Sequence, residues 1–113
     1  MASNDSANDA IYLWKVDGLP LYKIGYTSMR RDGVRIRVVA KRWGFKPQII
    51  RLVKTSIKAT DVEKMLKSIG KAADMSGFTG YRTDGKTEFR VMDAAEVEQA
   101  ILVIDQYTDG GRV

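Results

Sequence analysis

The chain has 113 residues, 44% of them hydrophobic, and a formal charge of +5, which suits one domain with a single modest core. It contains neither cysteine nor histidine. Disulfides, thiolate metal sites, His-based triads and the usual zinc ligands are thereby excluded, leaving Tyr, Lys, Arg, Asp, Glu or an oxygen-ligated hard cation for any catalysis.

The charge is unevenly spread. Between Tyr22 and Lys71 lie fourteen Lys and Arg, opposed only by Asp32, Asp61 and Glu63, so the remainder of the chain is net acidic. Such a local field suits a polyanion; its alternative is an ordinary solvated surface. The longest apolar runs are too short to cross a membrane, and the N-terminus lacks a signal-peptide core. A soluble, intracellular protein with no membrane partner is expected.

Residues 1–9 are small and polar and read as a disordered lead-in. Two β-rich runs, 10–16 and 19–26, flank Asp17-Gly18, a strong signal for a two-residue type I′ hairpin turn. That turn fixes a register in which Tyr12 stands directly opposite Lys23 on one face and Pro20 pairs with Lys15. A polar connector, 27–33, leads into a helix over 34–43, where Ile36, Val39, Ala40 and Trp43 share a stripe. Gly44 and Pro47 end it. Residues 48–54 read as a third strand. A second helix is expected from Thr60 to Gly70, with Val62, Met65, Leu66 and Ile69 inward. Residues 72–86 are glycine-punctuated, and Asp84-Gly85 suggests a small hairpin into a strand over 87–91. A last helix starts at Asp93, carries Val97, Ala100, Ile101 and Ile104 inward, and leaves a tail from 108. The order ββαβα(ββ)α predicts a mixed α+β domain, a small antiparallel sheet flanked by helices.

Several of these residues together resemble a known signature. Ala10-Ile11-Tyr12 and Lys23-Ile24-Gly25 on two successive strands, an arginine at 35 or 37, and Glu63 in the run VEKML follow the order of the GIY-YIG nuclease superfamily. The run from Tyr22 to Thr27, with Thr87-Glu88-Phe89 near the end, is most similar to a small phage-associated branch. The match spans about residues 10–91. It departs from the pattern at Ala10, where the name-giving glycine would stand, at Lys23 in place of a tyrosine, and at Lys67 in place of a histidine.

The resemblance implies a metal-dependent endonuclease that hydrolyses DNA phosphodiester bonds with low or structure-guided specificity. Tyr12 would lie near the attacking water, Arg35 or Arg37 would clamp the phosphate, and Glu63 would hold one Mg²⁺ or Mn²⁺. A free phenol has a pKa near ~10, and Lys23 beside Tyr12 would favour its anion. Arg30, Arg31, Lys41, Arg42, Lys67, Tyr81, Arg82 and Lys86 would contact the nucleic acid. Double-strand breaks would require a homodimer or sequential nicks, and a phage protein would act inside its host cell. The rival function is a nucleic-acid-binding regulator or accessory protein with weakened catalysis. Each residue also has a plainer role. Tyr12 reads as a half-buried strand residue. Lys23 reads as an edge-strand charge. Glu63 reads as the N3 partner of a Thr60 capping box.

Overall fold

A computed structural model describes residues 9–28, 33–74 and 89–108. Its elements are β1 (Asp9–Val16), β2 (Leu21–Ser28), α1 (Val34–Trp43), β3 (Pro47–Lys54), α2 (Ala59–Leu66), β4 (Lys71–Ala72), β5 (Phe89–Val91) and α3 (Ala94–Gln106). The strands form one antiparallel sheet in the order β3-β1-β2-β5-β4, so the mixed α+β class and the element order are those expected. Among the described residues no helix is long and apolar enough to cross a membrane. Asp9 of the expected lead-in belongs to β1 and Thr108 of the expected tail bridges to Thr55; residues 1–8, the Asp84-Gly85 turn and the tail beyond 108 lie outside the described residues.

Strand alternation sorts the core into two layers. Tyr12, Trp14, Val16 and Leu21 face α1, which contributes Ile36, Val39, Ala40 and Trp43. Ile11, Leu13, Tyr22 and Ile24 face the other way, towards Val62 and Leu66 of α2 and Ala100 and Ile104 of α3. On the α1 side Phe89 packs edge-on against Trp14, Trp43 and Phe45, with ring centroids 5.7, 5.5 and 5.8 Å away. These aromatic contacts join β1, β5 and the end of α1 into one block. At the C-terminus of α1, Gly44 takes a φ of 74°, and its amide donates to the Ala40 and Lys41 carbonyls.

The hairpin register differs from expectation. Lys15 pairs with Tyr22, Trp14 with Lys23 and Tyr12 with Gly25, a shift of two residues. The connection is a four-residue loop rather than a two-residue turn, and Pro20 lies in it instead of opposite Lys15. Asp17 in this loop is tied to the start of β3. The Asp17 amide donates to the Lys46 carbonyl at 2.8 Å, and Gln48 Nε2 donates to Asp17 Oδ1 at 2.9 Å. The Leu19 amide closes a turn around Asp17-Gly18 onto the Val16 carbonyl at 3.1 Å, with Gly18 at φ 84°, but pairing with β1 resumes only beyond Pro20. An even shift leaves every side chain on its expected face.

The second helix also differs. It begins at Ala59 with Lys58 as N-cap and no side-chain cap, so Thr60 lies inside it and the Thr60–Glu63 capping box does not form. Ala59 is 1% exposed; burying it draws the helix start back by a residue. Met65 is exposed, and Ile69 is buried just past the helix end, where Gly70 turns the chain at φ 76°. A capping box exists on α3. The Glu96 amide donates to Asp93 Oδ1 at 2.8 Å, and the Asp93 amide donates to Glu96 Oε1 at 3.0 Å.

One ion pair ties β3 to α3. Arg51 Nε and one terminal nitrogen donate to the two Asp105 oxygens at 3.0 and 3.1 Å. The hydrogen bond to Asp105 raises the Arg51 pKa above its ordinary value against the opposing effect of burial. The pair is partly solvated, so Asp105→Ala is expected to cost about 1 kcal/mol, read as a lower urea midpoint. An unchanged midpoint would show that the pair adds nothing.

Candidate functional site

Tyr12 and Lys23 meet on the α1 face of the sheet, as diagonal rather than direct neighbours. Lys23 Nζ donates to the Tyr12 hydroxyl at 3.3 Å and to the Ile24 carbonyl at 3.4 Å. The same ammonium lies 5.4 Å from the Tyr12 ring centre and 5.8 Å from that of Phe89. A phenol oxygen, a carbonyl and two aromatic rings thus compensate for burying a lysine that is only 1% exposed. β2 is an interior strand between β1 and β5, so Lys23 is not an edge charge. Tyr12 is 2% exposed, fully buried rather than half-buried.

Gly25 makes this arrangement possible. A Cβ there would fall 2.5 Å from Tyr12 Cζ and 2.9 Å from Cε1. The Tyr12 ring occupies the space that any side chain at 25 would need. The glycine of the Lys-Ile-Gly step therefore answers to a close approach rather than to a turn.

The two candidate arginines separate. Both are exposed on α1, but Arg35 lines a pocket of about 330 Å³ with Tyr26, Thr27, Val34 and Val38. Arg37 turns elsewhere: one of its terminal nitrogens lies beside Gly33 on the side of Leu52. Arg35 thus stands at the end of the Lys23–Thr27 run and Arg37 near β3. Lys41 and Arg42 are exposed in the last turn of α1, where cations complement the helix dipole. Arg30, Arg31, Tyr81, Arg82 and Lys86 lie outside the described residues.

Glu63 is 8% exposed on α2, whose buried residues Val62 and Leu66 pack on the sheet face opposite Tyr12. Lys67 Nζ lies 3.7 Å from Glu63 Oε1, one helical turn on, so Lys67 accompanies the carboxylate. Among the described residues no group of three or more acidic side chains could hold a metal ion. A single carboxylate nevertheless suits Mg²⁺, which keeps several waters and takes phosphate oxygens as further ligands. Glu63 meets that minimum, with Lys67 competing for the same oxygen.

Two residues given no role in the sequence matter here. Arg90, 8% exposed, donates to the Ile69 and Gly70 carbonyls at 2.9 Å each and so closes the end of α2; an arginine in a short strand carries no signal of this. Thr27 is 9% exposed and lines the Arg35 pocket; its only signal is its place after Lys-Ile-Gly-Tyr. Comparisons with family models, curated proteins and solved structures find no match to this chain.

Proposed function

We propose that this chain is a metal-dependent endonuclease of the GIY-YIG type, hydrolysing DNA phosphodiester bonds with little sequence preference. The observation that carries the reading is the Tyr12–Lys23 contact, seated over Gly25 on the same strand run that ends at the Arg35 pocket. Three residues quoted for the resemblance thereby acquire interlocking physical roles. The exposed basic face of α1, with Arg35, Arg37, Lys41 and Arg42, supplies an electrostatic track for a phosphate backbone. An intracellular site of action, in a cell hosting a phage, belongs to the same reading. A double-strand break would take two copies or two successive nicks.

Hydrolysis joins a water oxygen to phosphorus and releases one ester oxygen, which must leave with a proton. In this scheme Tyr12, as the phenolate that the donating Lys23 ammonium would favour, orients the water and takes its proton, and solvent water protonates the leaving ester oxygen. Arg35 holds a non-bridging phosphate oxygen as its charge grows. Glu63, on a helix packed against the sheet face opposite Tyr12, would hold the divalent cation, which when bound would supply Lewis-acid stabilisation of phosphoryl oxygens.

One observation favours a second reading. Tyr12 and Lys23 are 2% and 1% exposed, and a buried hydroxyl suits a structural or weakened centre better than one that must admit water. On that reading the chain binds nucleic acid through its basic face and does not cut. Incubation with supercoiled plasmid and Mg²⁺ separates the two. Steep weakening of binding by salt is expected for both.

Glu63→Ala is expected to abolish cleavage while leaving DNA affinity within about twofold and stability within about 1 kcal/mol, since a partly solvated ion pair contributes little. A folded variant that cuts at the parental rate would remove the metal role. Arg35→Ala should lower turnover at least about tenfold more than Arg37→Ala, because only Arg35 sits at the pocket. Equal small effects in single-turnover assays would mark both as general backbone contacts.

A further inference from the structure

The pocket at the start of α1 carries features that the cleavage scheme leaves unused. Thr27 points to the α1 side of β2, is more than nine-tenths buried, and lines the pocket. None of the side-chain hydrogen bonds among the described residues uses its hydroxyl. α1 is ten residues long and starts at Gly33, which takes a φ of 83° and offers no side-chain cap. Its first turn holds no acidic residue. Among the described residues no side chain caps these amides, and they adjoin the pocket with the positive end of the helix dipole, beside the Arg35 guanidinium. The hydroxyl of a buried threonine, a cationic fork and a helix start together form a set of donors for a phosphate.

Val34 and Val38 give the pocket an apolar wall. Val34 and Val38 are 41% and 38% exposed, an unusual placement for two valines on a helix this basic. About 330 Å³ is more than one phosphate fills and suits a phosphate with its pentose. Among the described residues the pocket lining includes no Asn, Gln, Asp or Glu that would read a base edge.

We infer that this pocket holds the phosphate next to the one attacked at Tyr12, with the planar Arg35 fork bridging the two phosphates and the deoxyribose against Val34 and Val38. Thr27 lies two residues beyond Gly25 on the same face, about 7 Å along the strand, a spacing comparable with that of adjacent phosphates in a nucleic-acid backbone. Only the identity of the neighbouring, attacked phosphate rests on the function proposed above. Phosphate and sugar contacts position without specifying, so the site confers binding without sequence preference.

The test is an amide-resolved NMR titration of the full chain in EDTA with thymidine 3′,5′-bisphosphate, thymidine and inorganic phosphate. The bisphosphate should shift the amides of Thr27, Val34 and Arg35; inorganic phosphate should shift the same set more weakly; thymidine should shift none. Thr27→Val keeps the shape and removes the hydroxyl, and should weaken bisphosphate binding about fivefold; Arg35→Ala should weaken it at least about tenfold. Shifts confined to other residues, or unchanged affinity in Thr27→Val, would overturn the site. Because no cleavage is needed, a chain that binds the bisphosphate here yet leaves plasmid intact supports the pocket while removing the hydrolytic reading. Plasmid nicking at the parental rate by Thr27→Val, without these shifts, would remove the pocket alone.

Discussion

Tyr12→Phe is expected to lower plasmid cleavage by at least about 100-fold, the usual contribution of a positioned proton acceptor. The substitution removes one oxygen from a site where Lys23 Nζ donates to it at 3.3 Å. With Lys23 only 1% exposed, its ammonium then loses a buried acceptor, and stability should fall by about 1–2 kcal/mol. Adding Lys23→Met should return most of that stability without returning activity, because the stem still fills the space between Tyr12 and Phe89. Urea midpoints and nicking rates measured on the same three proteins check this directly. Activity within a few-fold of the parent in Tyr12→Phe would make Tyr12 a packing residue.

Gly25→Ala should have the largest structural effect of any single methyl addition at the candidate centre. The new Cβ would land 2.5 Å from Tyr12 Cζ, so the ring must leave its place over the strand. Overpacking of this kind costs about 1–3 kcal/mol, and the displaced phenol loses its contact with Lys23. The effect is specific to the pair of positions. In a Tyr12→Val background the same Gly25→Ala change should cost far less, giving a coupling energy of at least about 1 kcal/mol in the double-mutant cycle. Equal penalties in both backgrounds would show that the backbone at Gly25, and not the ring, sets the requirement.

The periodic parts of this fold were legible from residue spacing. α1 runs over the expected Val34–Trp43, and its stripe of Ile36, Val39, Ala40 and Trp43 is the buried face. Local patterns failed where a distant group intervened. Asp17-Gly18 has the composition of a two-residue turn, but the loop runs on to Pro20, with Asp17 tied to Lys46, a residue far along the chain. Thr60 and Glu63 have the spacing of a capping box, yet burial of Ala59 starts the helix before them. The box on α3, formed by Asp93 and Glu96, has the same kind of spacing and does form.

The meeting of Tyr12 and Lys23 was legible for a reason independent of the exact register. A two-residue slip preserves the sheet face, and a lysine stem is long enough to reach a diagonal neighbour. What spacing could not show is how deeply the pair is enclosed. That enclosure comes partly from Phe89, which arrives from β5. The division between Arg35 and Arg37 likewise depends on where β2 and β3 sit beside α1, which no helical periodicity encodes.

Conversion of supercoiled plasmid to nicked and linear forms is the most direct measurement of the central claim, run with Mg²⁺, with Mn²⁺ and with EDTA, beside Tyr12→Phe and Glu63→Ala. A divalent-cation-dependent nicked product from the parent chain, absent with EDTA and in both variants, is the predicted result. Intact plasmid at protein concentrations that shift the same DNA in a binding gel would contradict it, and would leave a protein that grips nucleic acid without cutting.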